Sequence, residues 1–278
     1  KLNLRFIYIK LLSVLLLLVL FTNCKKPGCT DPAATNYNSK SNVSDSSCLY
    51  DTVSSKNLTL NVYHYFDSSE FSFDSIYQDG FGNKIQLIRA SFYLGNTRFK
   101  NSDGQVIENS ENYILVSPET SSYNLGTIYS NSFSSIDVLI GIDSVTNHLD
   151  PANYQSNNSL SYQSPSMHWQ MGINPSDWSY LFVVVEGKVD IDGNNSFDSG
   201  EIFVFHLGGD NFITNTNNIE CELSQNQNYN YEISIDANWA SIINNINLST
   251  DNFTHTSDNI PLANIISENS KYIVSSHQ

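Results

Sequence analysis

Six consecutive residues in the middle of the chain, Tyr180-Leu-Phe-Val-Val-Val185, carry no polar group beyond one tyrosine hydroxyl. A strand that is apolar on both faces has to be covered on both, so it belongs at the centre of a sheet. A second stretch is patterned differently. Leu58, Leu60, Val62, His64 and Phe66 alternate with Asn57, Thr59, Asn61, Tyr63 and Tyr65, the period of two expected of a strand with one buried face. Further strands are expected at Ile85 to Phe99 with a break at Gly95-Asn96, and at Tyr113 to Val116, Ser134 to Gly141, Ile202 to Leu207 and Tyr229 to Ile235. Their number and spacing, about eight strands with turn residues between them, predict an all-β fold, an antiparallel β-sandwich.

Two short helices are expected near the C-terminal end. Trp239, Ile242, Ile243 and Ile246 fall at i, i+3, i+4 and i+7 after the capping residues Asp236 and Asn238. Leu262, Ile265 and Ile266 share a face after Pro261.

The charge balance narrows the partners. A formal net charge of −15, with 13 Lys and Arg among 278 residues, repels a phosphate backbone, so no nucleic acid is expected. Aromatic residues make up 12% of the chain, which suits an exported β protein and not a disordered one.

Three segments are expected. In residues 1–24, Lys1, Arg5 and Lys10 precede an apolar run, Leu11 to Phe21, too short for a membrane span, and the pattern reads as an export signal. A Cys directly after such a run, Cys24, resembles the lipidation site of a bacterial lipoprotein signal. That resemblance implies a membrane partner through an N-terminal lipid anchor and a cell-envelope, outer-membrane location. Residues 25–51 hold GCTDPAATNYNSKSNVSDSSCLYD, which resembles a Cys-bounded GCTDPxAxNYN module found in secreted proteins of Bacteroidetes. Cys29 and Cys48 bound a stretch with almost no core, so a disulfide between them is the natural staple. Cys221 is then left as a buried free thiol. Residues 52–278 form the main β domain.

Two sets of residues point to metals. Asp190, Asp192, Asn194, Ser196, Asp198 and Glu201 occupy positions 1, 3, 5, 7, 9 and 12 of a twelve-residue loop, the ligand spacing of an EF-hand calcium site. Asn195 stands where that template has Gly, and the flanks are strands, so a polar hairpin connection is the competing reading. Among the histidines, His64 sits on the apolar face of its strand and His206 shares a face with Ile202 and Val204. Such residues are either hydrogen-bonded core histidines or imidazole ligands for copper or zinc. His168 and His255 are further candidates. There is no G-x-S-x-G, H-E-x-x-H, P-loop or C-x-x-C motif, and no enzyme is expected.

Several pieces of the main domain occur in the order of a known family. They are the His64 strand, Ile88 to Asn96 (IRASFYLGN), Ile140-Gly-Ile-Asp143, Ser166-Met-His-Trp169, Tyr180 to Gly187, Phe205-His-Leu-Gly-Gly209 and Phe253-Thr-His255. In these the chain resembles the methanobactin-associated copper-binding protein family (MbnP-like). Met171 departs from the family pattern, where a second Trp is common, as do Ser166 and Ser179 at Gly positions. The resemblance implies a β-sandwich and copper held by histidines beside a Trp oxidised to kynurenine, the oxidation done by a di-haem peroxidase-like partner. Carried to this chain, it implies His64 and His206 as ligands, His255 as a further one, and Trp169 as the aromatic. The expected function is a lipid-anchored cell-envelope metal-binding protein, for copper capture or handover. The alternative is a surface glycan- or protein-binding β-sandwich with a structural calcium.

Overall fold

The computed structural model describes residues 25–32, 34–49, 55–170, 172–227 and 230–277. The expected export signal and Cys24 lie outside the described residues. The chain divides into two compact units, Lys1–Val53 and Ser54–Gln278. No helix among the described residues is long and apolar enough to cross a membrane.

In the small unit a disulfide joins Cys29 and Cys48, with Cα atoms 4.7 Å apart. The only strands described there are a parallel pairing of Pro27–Gly28 with Val43–Ser44. The Asn36 side chain ties the rest together. Its Nδ2 donates to Ser47 O at 2.6 Å and its Oδ1 accepts from Leu49 N at 2.8 Å. Backbone bonding and one covalent link stand in for a core here, and closing a loop of this length is worth about 3 kcal/mol.

The main unit is a sandwich of two sheets. Its principal strands are β1 (Lys56–Phe66), β2 (Lys84–Lys100), β3 (Val106–Ser110), β4 (Ile114–Val116), β5 (Ser122–Ile128), β6 (Ser135–Ile140) and β7 (His168–Gln170). They continue with β8 (Trp178–Val189), β9 (Ile202–Gly208), β10 (Thr214–Glu220), β11 (Tyr231–Asn238), β12 (Phe253–Thr254) and β13 (Val274–Ser276). The larger sheet runs β10-β6-β2-β8-β9-β12, with β3 and β4 pairing β2 and β7 pairing the start of β8. In the smaller sheet β1 and β11 are neighbours, β5 pairs β1, and β13 pairs β11. Pairing is antiparallel except for β1 with β11 and β9 with β12.

The core lies between the sheets. Leu58, Leu60 and Val62 of β1 and Ile233 and Ile235 of β11 belong to one buried cluster with Phe92, Val183, Phe203 and Phe205 of the larger sheet. As its composition requires, β8 is central, between β2 and β9, and Tyr180 to Val185 are all at most 2% exposed. The far side of β8 is covered by the long connection after β6. Tyr180 donates its hydroxyl to Leu160 O at 2.7 Å and Tyr93 donates to Ser159 O at 2.9 Å. Leu181 N bonds Met167 O at 2.9 Å as the connection re-enters the sheet. Buried hydroxyls find their acceptors in a loop that would otherwise carry unpaired carbonyls.

Three expectations change. The break at Gly95-Asn96 is no break, because β2 runs through it. The irregularity appears instead as a register shift against β6, between Asp137 and Leu139. The bare Cα of Gly95 is needed there, since a Cβ would lie 2.2 Å from the Tyr113 ring. The first C-terminal helix is a short 3-10 helix, Trp239–Ile243, with Trp239, Ile242 and Ile243 buried. The helix stops before Asn244 and Asn245 turns left-handed, with φ of 59°, so Ile246 reaches the core from outside the helix. The second is an α-helix. Counting α1 as Ser144–Asn147, it is α2, Ile260–Ser270, capped by the Asn259 side chain accepting from Leu262 N. Strands β3, β5, β7, β10, β12 and β13 are additions to the expected set. In β10 the sequence Thr-Asn-Thr-Asn-Asn-Ile-Glu is rich in strand-poor Asn, and pairing with β6 draws it into the sheet.

Candidate metal centre

Alternation in β9 fixes where His206 points. Phe203, Phe205 and Leu207 are buried in the core, which leaves Ile202, Val204 and His206 on the opposite, outer face. The sequence makes both faces of this strand apolar. The structure shows that the His206 face is the one away from the other sheet.

A short parallel strand brings His255 alongside. Phe253 and Thr254 pair with Val204 and Phe205, so the next residue falls beside His206. Thr256, with φ of 64°, donates its hydroxyl to His206 O at 2.8 Å and accepts from Gly208 N at 3.0 Å. Asp258 accepts from His255 N at 2.7 Å. These bonds hold the imidazole centres of His206 and His255 4.7 Å apart.

Trp169 closes the third side. It pairs with Ser179 across β7 and β8, and its ring centre stands 6.4 Å from that of His206 and 6.2 Å from that of His255. Gly208 makes this possible. A Cβ there would sit 2.5 Å from Tyr180 O and 3.4 Å from the Trp169 ring, so a larger residue would push the aromatic off the pair.

Behind His206 stand two charges. Glu186 Oε1 is 2.8 Å from His206 Nε2 and 2.8 Å from Arg89 Nη1. Burial alone would raise the Glu186 carboxyl, but the hydrogen bonds from His206 and Arg89 outweigh it and hold the group below the usual range. Burial lowers His206 below its ordinary value despite the carboxylate beside it. Its imidazole is therefore neutral at neutral pH, the form that can donate a lone pair.

His64 is not part of this arrangement. It lies on β1 in the other sheet, half-buried, and its nitrogens are engaged: Nδ1 lies 3.3 Å from Trp239 Nε1, and Nε2 lies 3.3 Å from Thr120 O. The indole can only donate, so Nδ1 accepts and Nε2 carries the proton given to the carbonyl. Among the described residues its aromatic ring contact is with Trp239, at 6.0 Å between centres, and none is with His206. The structure therefore does not form the expected pairing of His64 with His206. His168 is different again. It is buried between Trp178 and Tyr180, and among the described residues neither ring nitrogen has a hydrogen-bond partner.

In the sequence Glu186 enters only as part of the family-like run Tyr180 to Gly187, and His148 carries no signal there. A lone carboxylate ending the run Val-Val-Val-Glu was the available sign of the first. His148 joins α1 to the start of β8, with Nδ1 2.7 Å from Trp178 O and Nε2 3.2 Å from Asp210 Oδ2.

The acidic loop connects β8 to β9 at the end remote from His206. Glu201 and His206 are separated by five residues of strand, roughly 15 Å. Asp190, Asp192 and Glu201 bring ligand atoms within 4.8 Å of one another. Asn195 takes the left-handed conformation, φ 64°, at the template's Gly position, and its N–H donates to Asp190 Oδ2 at 2.9 Å. Asn194 Nδ2 and the Ser196 hydroxyl donate to Asp198 at 3.2 and 3.3 Å. Glu201 reaches back to accept from Ile191 N and Asp198 N, at 3.0 and 2.7 Å.

No curated protein matches the chain. Among solved structures, MbnP from Methylosinus trichosporium is similar, with a TM-score of 0.43 and 10% identity over 68% of this chain and 78% of that one. The family model described as MbnP matches residues 55–259, from the start of β1 to the turn beyond His255. That match covers well over half of the sequence, and the chain belongs to the MbnP family.

Proposed function

We propose that this protein binds copper between His206 and His255, with Trp169 as the aromatic wall of the site, and that it serves in metal capture or handover. One observation carries the reading: two imidazoles lie 4.7 Å apart on the outer face of the larger sheet, beside Trp169. Imidazole nitrogen suits copper, and two rings at this distance can share one ion. When bound, copper supplies a centre that can be stored, passed on or change oxidation state. The chain's part is to hold two imidazoles in register beside Trp169. His64 is left out because using either of its nitrogens would break a hydrogen bond it already makes. MbnP membership supports copper over zinc.

The test is copper affinity by competition with a chromophoric Cu(I) chelator. His206→Ala and His255→Ala should each weaken binding by about 100-fold or more, as expected for loss of a ligand. His64→Ala should stay within a few-fold of the parent. Equal losses in all three variants would sink this choice of ligands.

We propose separately that the acidic loop holds a structural calcium, on the EF-hand ligand spacing of Asp190, Asp192, Asn194, Ser196, Asp198 and Glu201. A saturating ion adds about 3 kcal/mol at 100 times its Kd, which for a unit of this size is on the order of 5–10 °C in Tm. Millimolar calcium should raise the melting temperature of the parent by that amount and leave Asp190→Ala/Glu201→Ala unmoved. An equal rise in both proteins would remove the loop from the account.

A further inference from the structure

We infer that Glu186 is the positioning residue of the metal centre: it binds the Nε2 proton of His206, so that Nδ1 is the nitrogen presented to the ion. The inference rests on the copper reading above and names a residue that touches no metal itself.

The geometry leaves one tautomer. Glu186 Oε1 lies 2.8 Å from His206 Nε2, and Arg89 Nη1 lies 2.8 Å from the same oxygen. An ionised carboxylate only accepts, and the guanidinium beside it keeps it ionised. A lone pair on Nε2 would face the oxygen's own lone pairs at that distance, so Nε2 has to carry the hydrogen. Nδ1 is then the unprotonated nitrogen, and among the described residues no hydrogen bond is made to it. The side chains of His206, Glu186 and Arg89 are only 15%, 22% and 17% exposed, so water competes weakly for these bonds.

The same carboxylate also reaches Trp169 through Arg89. Arg89 Nη2 donates to Ser166 O at 2.8 Å and lies 3.2 Å from Met167 Sδ, in the segment leading into β7. One anion thus orients the His206 ring directly and, through Arg89, steadies the strand that carries the aromatic wall. A carboxylate held to the far nitrogen of a ligating imidazole is a general device for fixing its tautomer, and its removal typically weakens metal binding 10–100-fold.

Long-range 1H–15N spectra of the metal-free protein read the tautomer directly, with the His206 signals identified by their absence in His206→Gln. The parent should show the Nε2–H form. In Glu186→Leu the tautomer should become mixed, and copper affinity should fall about 10–100-fold. Glu186→Gln keeps an acceptor oxygen and should fall between the two. Arg89→Met/Glu186→Leu removes both charges and gives the same readout if an uncovered arginine prevents the single variant from folding. An Nδ1–H tautomer in the parent, or unchanged tautomer and affinity in the Leu variants, would overturn the role of Glu186. A parent that takes up no copper would overturn the metal reading itself, a separate failure from an unexpected tautomer in a copper-binding parent.

Discussion

Trp239→Ala is expected to remove about 3–5 kcal/mol of folding stability, a fall in Tm on the order of 10 °C for a unit of this size. The side chain is fully buried and lies where the smaller sheet meets the larger one. Its ring centre is 5.5 Å from Phe92 of β2, 6.2 Å from Phe71 and 6.0 Å from His64 of β1. Truncation opens a cavity bordered by both sheets and leaves His64 Nδ1 without its donor, and the two costs add. Trp239→Phe keeps most of the volume and should recover more than half of the loss. Thermal unfolding of the three proteins measures this. A loss below about 1 kcal/mol for the alanine variant would mean that the site collapses freely. Copper affinity should be unaffected, because this tryptophan and the one beside the candidate ligands occupy different faces of the larger sheet.

Acid should weaken the fold through His168. Burial pushes this imidazole from its ordinary 6.5 down to about 4, and among the described residues neither of its nitrogens has a hydrogen-bond partner. The unfolded chain takes up a proton as the pH falls below about 6.5, while the folded chain refuses it until about 4. The stability tied to this group is therefore complete above the upper value and is lost as the pH falls towards the lower one. At about 1.4 kcal/mol per pH unit, the loss across the window is about 3 kcal/mol. His168→Phe should abolish that part of the acid sensitivity. At neutral pH it should also be more stable than the parent by about 1–3 kcal/mol, since two buried nitrogens no longer go unpaired. Denaturant midpoints at pH 7 and pH 4.5 decide it. An undiminished pH dependence in the variant, or a less stable variant at neutral pH, would contradict this account of His168.

The strands that could be read from sequence were those whose side chains state their environment. Tyr180 to Val185 demanded a layer on each face and received both, and Leu58 to Phe66 announced one buried side. The strands that could not be read, β10 among them, are held by their neighbours, since the Asn residues of Thr-Asn-Thr-Asn-Asn-Ile-Glu work against a strand. The candidate site shows the same division. The Asp190–Glu201 spacing is local, so its three converging carboxylates were visible in order along the chain. The His206, His255 and Trp169 cluster depends on a parallel two-residue strand, β12, and on a long connection folding back to form β7, and no short-range pattern encodes either. The family resemblance supplied all three residues, but it also supplied His64, whose hydrogen bonds to Trp239 and Thr120 became visible only once β1 and the 3-10 turn were seen together. A histidine on an apolar strand face can be a packed, hydrogen-bonded residue or a ligand, and only the surroundings of its two nitrogens tell which.

Metal analysis after copper loading and removal of loose ions tests the central claim most directly. Purified parent, His64→Ala and His206→Ala/His255→Ala proteins would be compared by inductively coupled plasma mass spectrometry. The expected result is about one copper per chain in the first two and next to none in the third, since two imidazoles are the site's nitrogen donors. Full copper content in the double variant, or none in the parent, would contradict the account.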